Sequence, residues 1–147
     1  MTPTLAELLL GNFLALADAP PPESMGEFMA GKLGVVAMIC VLGAQEAERG
    51  PAARAWENAA FRALFARTAD RYDGTLGGRL AAAAATVDED ASVTGMDASN
   101  AALRRVLIDL HIAAEDAGDR ALDREILALY GEMAEQRRLD LPPLPAA

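Results

Sequence analysis

The chain is expected to be all-α, a single-domain bundle of about six helices over residues 1–147, with a central apolar second helix and a Pro-rich tail over 140–147. Three observations point there. Apolar residues recur at three- and four-residue steps, no stretch sustains the alternation of a half-buried strand, and Gly-Pro, Asp-Gly and poly-Pro steps punctuate the periodic segments. Length agrees, because a chain of 15.4 kDa buries roughly 70% of its unfolded surface without disulfides.

The first helix is expected over Leu5–Ala17, introduced by a Thr4/Glu7 capping box. Leu5, Leu8, Leu9, Phe13 and Leu16 form its inward stripe, and Pro20-Pro21-Pro22 ends it. The second, from about Met25 to Arg49, follows a Ser24/Glu27 box and is apolar on every side from Leu33 to Ala44. Twelve residues span only about 18 Å, too short to cross a bilayer, so this segment reads as the central core helix. Ala30, Gly34, Ala37, Ala44 and Ala47 give it a face of small side chains suited to close helix packing, with an oligomer seam or a ligand groove as the functional reading.

Gly50-Pro51 reads as a helix stop followed by a helix start, so a third helix is expected from Pro51 to near Tyr72. Trp56, Phe61, Phe65 and Tyr72 lie on it, four of the seven aromatic residues, either filling space opposite the small face or lining an apolar pocket. A short fourth helix follows the Asp73-Gly74 turn, from Leu76 to Val87, and Val87–Asp97 reads as a long loop. A fifth helix to Ala117 turns Leu103, Val106, Leu107, Leu110 and Ala114 inward. A sixth runs from after Asp119 to about Leu139 on Leu122, Ile126, Leu129, Tyr130 and Met133.

Charge narrows the function classes. Thirteen basic against 22 acidic residues give a formal charge of −9, which repels phosphate backbones, so neither nucleic acid nor a membrane is an expected partner. Met1-Thr2-Pro3-Thr4 carries no basic leader before the Leu8–Leu10 run, which makes a cytoplasmic location the expectation. Cys40 is the single cysteine, between Ile39 and Val41, and reads as a small core residue.

No set of side chains converges on a catalytic motif, so no catalytic residue, metal ligand or cofactor is expected and the reading leans away from an enzyme. His111, the one histidine, has Glu115 one turn later, a spacing that suits a metal ion or a proton relay. It lacks a second His or a Glu-x-x-His partner, and a structural pair is the simpler reading. Asp88-Glu89-Asp90 fails the calcium-loop pattern, with Val93 where glycine and Ser99 where glutamate must stand, and reads as a solvated acidic loop. Gly74-Thr75-Leu76-Gly77-Gly78-Arg79 lacks the Lys-Ser/Thr ending of a phosphate loop. Arg104-Arg105 and Arg137-Arg138 read as solvated helix faces.

The stretch from Leu5 to Leu64 resembles an uncharacterised family of small helical proteins encoded next to, or fused with, aminoglycoside-phosphotransferase-like kinases and acyl-CoA dehydrogenases. The similarity rests on the amphipathic first helix, the small-residue second helix, and Glu46-Ala47-Glu48-Arg49-Gly50-Pro51-Ala52 leading into an alanine-rich third. The second half shows no closing Asn-Pro-Arg-Tyr-like segment of that family. The resemblance implies an accessory role near acyl-CoA metabolism and supplies no catalytic residues.

The expected function is therefore that of a non-enzymatic helical binding or interaction protein. The alternative is a small apolar-ligand or acyl-group binder with a pocket between the second and third helices, its candidate residues Trp56, Phe61, Phe65, His111 and Glu115. With 52% hydrophobic residues on so short a chain, one core is not expected to hide all the apolar surface, and a homo-oligomer, most simply a two-fold dimer, is expected beside a possible protein partner.

Overall fold

The computed structural model describes residues 5–17 and 26–141. These form five α-helices and one 3₁₀ turn, with no strand among the described residues: α1 (Leu5–Ala17), α2 (Glu27–Thr68), the turn Ala69–Arg71, α3 (Gly74–Ala84), α4 (Val93–Asp116) and α5 (Arg120–Gln136). The all-α expectation holds and α1 has the expected bounds. Thr4 and Ser24 of the two capping boxes, the Pro20–Pro22 stop and the tail beyond Leu141 lie outside the described residues.

The count of six helices and the separate second helix are corrected. The expected second and third helices are consecutive parts of α2, which carries Pro51 in its interior. Proline removes one backbone hydrogen bond and crowds the carbonyl four residues back, which usually stops a helix. Here Val41, Ala44, Gly50, Ala53, Glu57, Phe61 and Leu64 are all buried at three-, four- or six-residue steps on both sides of it. Side-chain burial in register outweighs the single lost bond. Gly50-Pro51 instead coincides with the division of the chain into two compact units, residues 1–50 with 138–147, and residues 51–137.

The unit 51–137 has a conventional core. Phe61, Leu64 and Phe65 of α2 pack with Leu80 of α3, Leu103, Leu107 and Leu110 of α4, and Leu122 and Ile126 of α5. Its connections use specific turn chemistry. Gly74 opens α3 at φ +68°, and a Cβ on Gly77 would lie 2.0 Å from the Tyr72 carbonyl oxygen, so only glycine lets the turn approach the helix. Ser92 caps α4 by accepting the Gly95 N–H at 3.1 Å, so the helix begins inside the expected Val87–Asp97 loop, which shortens. At the other end of α4, Gly118 at φ +66° donates to the Glu115 carbonyl at 3.0 Å and Asp119 to that of Ala114 at 2.9 Å, a Schellman closure that leads into α5.

In the unit 1–50 with 138–147, Ala37, Val41 and Ala44 are buried on α2 and Leu9 of α1 lies against Gly43, but no residue of α1 is buried. The chain segment after α5 is fastened here. The Gln45 side-chain amide exchanges two hydrogen bonds of 2.7 Å with the Asp140 backbone, and Arg49 holds the Asp140 carboxylate at 3.2 Å.

Candidate functional site

The five residues singled out from sequence divide in two. Phe61 and Phe65 are fully buried with ring centroids 6.5 Å apart, and Trp56 is half-buried against the same core. They fill the interior of the 51–137 unit. The two helices expected to wall a pocket are successive stretches of α2. A groove of about 270 Å³ does run between α2 and α5, lined by Ala60, Ala63, Leu64, Ala128 and Leu129, but none of the three aromatics borders it and an Arg67–Glu125 ion pair stands in it.

His111 and Glu115, on successive turns of α4, are brought together and joined by a residue that sequence reasoning left out. Asp123, on the first turn of α5, places Oδ1 2.9 Å from His111 Nε2, and Glu115 Oε1 lies 3.9 Å from the same nitrogen. The ligand atoms of all three lie within 4.8 Å of one another. Tyr130, two turns further along α5, packs its ring against the imidazole with centroids 5.6 Å apart, its hydroxyl 3.5 Å from Nδ1. Burial pushes the Tyr130 hydroxyl pKa up, so it stays a neutral phenol. The Schellman turn at Gly118 reverses the chain so that α5 returns beside α4, and that reversal supplies Asp123.

A second polar assembly was not foreseen at all. Glu57 and Asn58 are fully buried on α2, and Asn100 is buried on α4. Arg137 holds Glu57 with two bonds of 2.5 and 2.8 Å, Asn100 Nδ2 donates to it at 2.8 Å, and Arg104 reaches it at 3.2 Å. Burial raises the Glu57 pKa, but the hydrogen bonds from Arg137 and Asn100 more than offset this, and the net shift is downward. Glu57 is thus held ionised. Alongside, Arg62 grips Asp88 at 2.7 and 2.9 Å, and Asn58 donates to it at 3.0 Å. The Arg62 hydrogen bonds outweigh the cost of burial and bring the Asp88 pKa down to about 2. Arg54 and Asp97 complete the line at 2.6 Å.

Two sequence readings change accordingly. Asp88 is no solvated loop residue but the anchor of the α3–α4 connection, and Arg104 and Arg137 are ligands of a buried carboxylate. The signal for this network was positional. Glu57 occupies the stripe Glu57, Phe61, Leu64, Phe65, Thr68, and Asn100 the stripe Met96, Asn100, Leu103, Leu107, so each is a polar residue at a core position. Arg79 of the glycine segment pairs with Asp109 at 2.5 Å.

The remaining feature is apolar and exposed. Leu5, Leu8, Leu10 and Leu14 of α1 and Met29, Val35, Val36 and Ile39 of α2 each keep between 45% and 62% of their surface. At 100° per residue the last four fall on one side of α2, a stripe about 120° wide. Cys40 is half-buried beside it. Among the described residues no helix is long and apolar enough to cross a membrane. Comparison of the chain with protein-family models, with curated proteins and with solved structures finds no match.

Proposed function

We infer that this is a non-catalytic helical interaction protein whose N-terminal unit pairs with a second copy of the chain. The observation that carries the reading is α1, a helix whose only polar residues are Glu7 and Asn12 and in which nothing is buried. A helix apolar on nearly every side is stable in water only when something covers it.

Three considerations favour a second copy. A fully buried Val, Leu or Ile side chain removes about 100 Å² at about 25 cal/mol per Å², so eight half-exposed ones leave on the order of 400 Å² open to water. That matches the apolar part of a common interface, which covers about 800 Å² on each partner and is a little over half apolar. Charge does not oppose the pairing, since only five of the forty residues from Leu5 to Ala44 are charged, half the chain-wide share of 24%. Finally, a two-fold contact asks only that one patch complement itself, and aliphatic side chains on helices do so by interdigitation.

Against catalysis, the one fully buried carboxylate among the described residues, Glu57, is saturated by Arg137, Asn100 and Arg104 and offers no reactive group. Light scattering coupled to size exclusion at micromolar concentration tests the pairing. The expected mass is twice the 15.4 kDa of the chain, falling to one chain in a Val35→Asp, Ile39→Asp double variant. A single-chain mass at every concentration overturns the reading, and retention of that monomer on zwitterionic lipid vesicles would assign the face to a lipid surface instead.

A further inference from the structure

We propose that His111, Glu115 and Asp123 form a site for one first-row divalent transition-metal ion, of the zinc class, with coordination positions left open to water. The site lies wholly within the unit 51–137 and does not depend on the pairing argued above.

Geometry is the first support. A zinc-class ion binds imidazole nitrogen and carboxylate oxygen at about 2.0–2.2 Å, so two ligands at a right angle to each other stand about 2.9 Å apart, and at the tetrahedral angle about 3.4 Å. His111 Nε2 and Asp123 Oδ1 are 2.9 Å apart, already at ligand spacing. Glu115 Oε1, at 3.9 Å from Nε2 and within 4.8 Å of the Asp123 oxygen, reaches ligand spacing by rotation of a side chain that is 63% exposed. His111 and Glu115 sit one turn apart on α4 and Asp123 comes from α5, so two helices fix the triad and only the Glu115 terminus has to move.

Orientation of the imidazole is the second support. The Tyr130 ring packs against it at a 59° tilt with its hydroxyl toward Nδ1, which leaves Nε2 facing both carboxylates. A metal-bound histidine characteristically spends its other nitrogen on such a partner, which fixes the ring and the tautomer. The donor set sets the ion class: one imidazole with two carboxylates suits zinc and its neighbours, whereas calcium and magnesium take oxygen ligands alone. A chain carrying a formal charge of −9 also draws cations toward it.

The test is a titration of the full-length, metal-stripped protein with Zn²⁺ at pH 7.5, followed by calorimetry, with Co²⁺ as a spectroscopic probe of the same site. One ion per chain is expected, with a visible Co²⁺ absorption band. His111→Gln and Asp123→Asn should each weaken Zn²⁺ binding at least tenfold and abolish the band, with far-UV dichroism unchanged. Should either of those variants fail to fold, Glu115→Gln decides, because that exposed residue is not needed for the fold and its loss should still weaken Zn²⁺ at least several-fold. Absence of stoichiometric binding, or binding that Glu115→Gln and His111→Gln both leave unchanged, overturns the proposal.

Discussion

Phe61, Phe65 and Leu110 of the 51–137 unit expose none of their surface, while Leu5 and Ile39 of the unit that begins the chain each keep 62% of theirs. The residue types are similar in the two regions, and what differs is what stands opposite. In the first, four helices supply facing stripes, and two polar positions on those stripes, Glu57 and Asn100, bond to each other across the interface. In the second, eight apolar side chains of α1 and the first part of α2 keep between 45% and 62% of their surface. Hydrophobic content therefore does not by itself mark a core, and the position of the polar residues separates the two cases. The buried polar residues, Glu57, Asn58 and Asn100 among them, all stand in the unit 51–137, and the other unit buries none among the described residues.

The largest effect expected on breaking this contrast is from Phe61→Ala, which should cost about 4 kcal/mol as a buried cavity opens, measured by denaturant unfolding followed through Trp56 fluorescence. The matching change in the other unit, Leu8→Ala, should alter the stability of the single chain by no more than about 0.5 kcal/mol. Equal losses would mean that α1 is as well packed as the core. Next in size is Glu57→Ala, expected to cost about 3 kcal/mol because Arg137, Arg104 and Asn100 lose their shared acceptor. A loss below about 1 kcal/mol would show that water replaces that acceptor freely.

The third effect depends on pH. Asp88 has a folded pKa near 2, well below its ordinary carboxylate value. A depressed folded pKa adds stability that is complete above the unfolded pKa and disappears as pH falls through the folded one. On the order of 2 kcal/mol should therefore be lost between about pH 5 and pH 2. Glu57, also shifted downward by Arg137 and Asn100 against the cost of burial, acts with the same sign. Comparison of urea midpoints at pH 7, 4 and 2.5 checks this, and Asp88→Asn should flatten the acid limb. A fourth effect, opposite in sign, is expected from Gly34→Ala. Gly34 is exposed, with nothing within 4 Å of a Cβ placed there, so close packing of the small face at this position is corrected. Removing a helical glycine should then raise the stability of the chain by about 0.5–1 kcal/mol, read as a higher melting temperature, whereas a fall would mean that a neighbour excludes the methyl group.

These outcomes also measure how far the sequence was readable. The inward stripes of α4 and α5 were legible because Leu103, Leu107, Leu110, Leu122 and Ile126 repeat at helical spacing with polar residues between them. The passage of α2 through Pro51 was not, because local chemistry argues for a stop and only burial on both sides of the proline overrides it. His111 with Glu115 was visible as a pair within one helix. Asp123 and Tyr130 were not, since their approach depends on how α5 folds back after Gly118, and no spacing along one helix encodes that. Glu57 was hidden differently: a carboxylate beside Trp56 reads as a solvated edge until the register shows it pointing inward.

The pairing of the N-terminal unit is tested most directly by amide hydrogen exchange with mass spectrometry at two protein concentrations a hundredfold apart. Amides of α1 and of residues 29–47 should gain protection as concentration rises, while those of α4 and α5, whose core is complete within one chain, should not change. Protection over 5–17 and 29–47 that is the same at both concentrations would contradict the account.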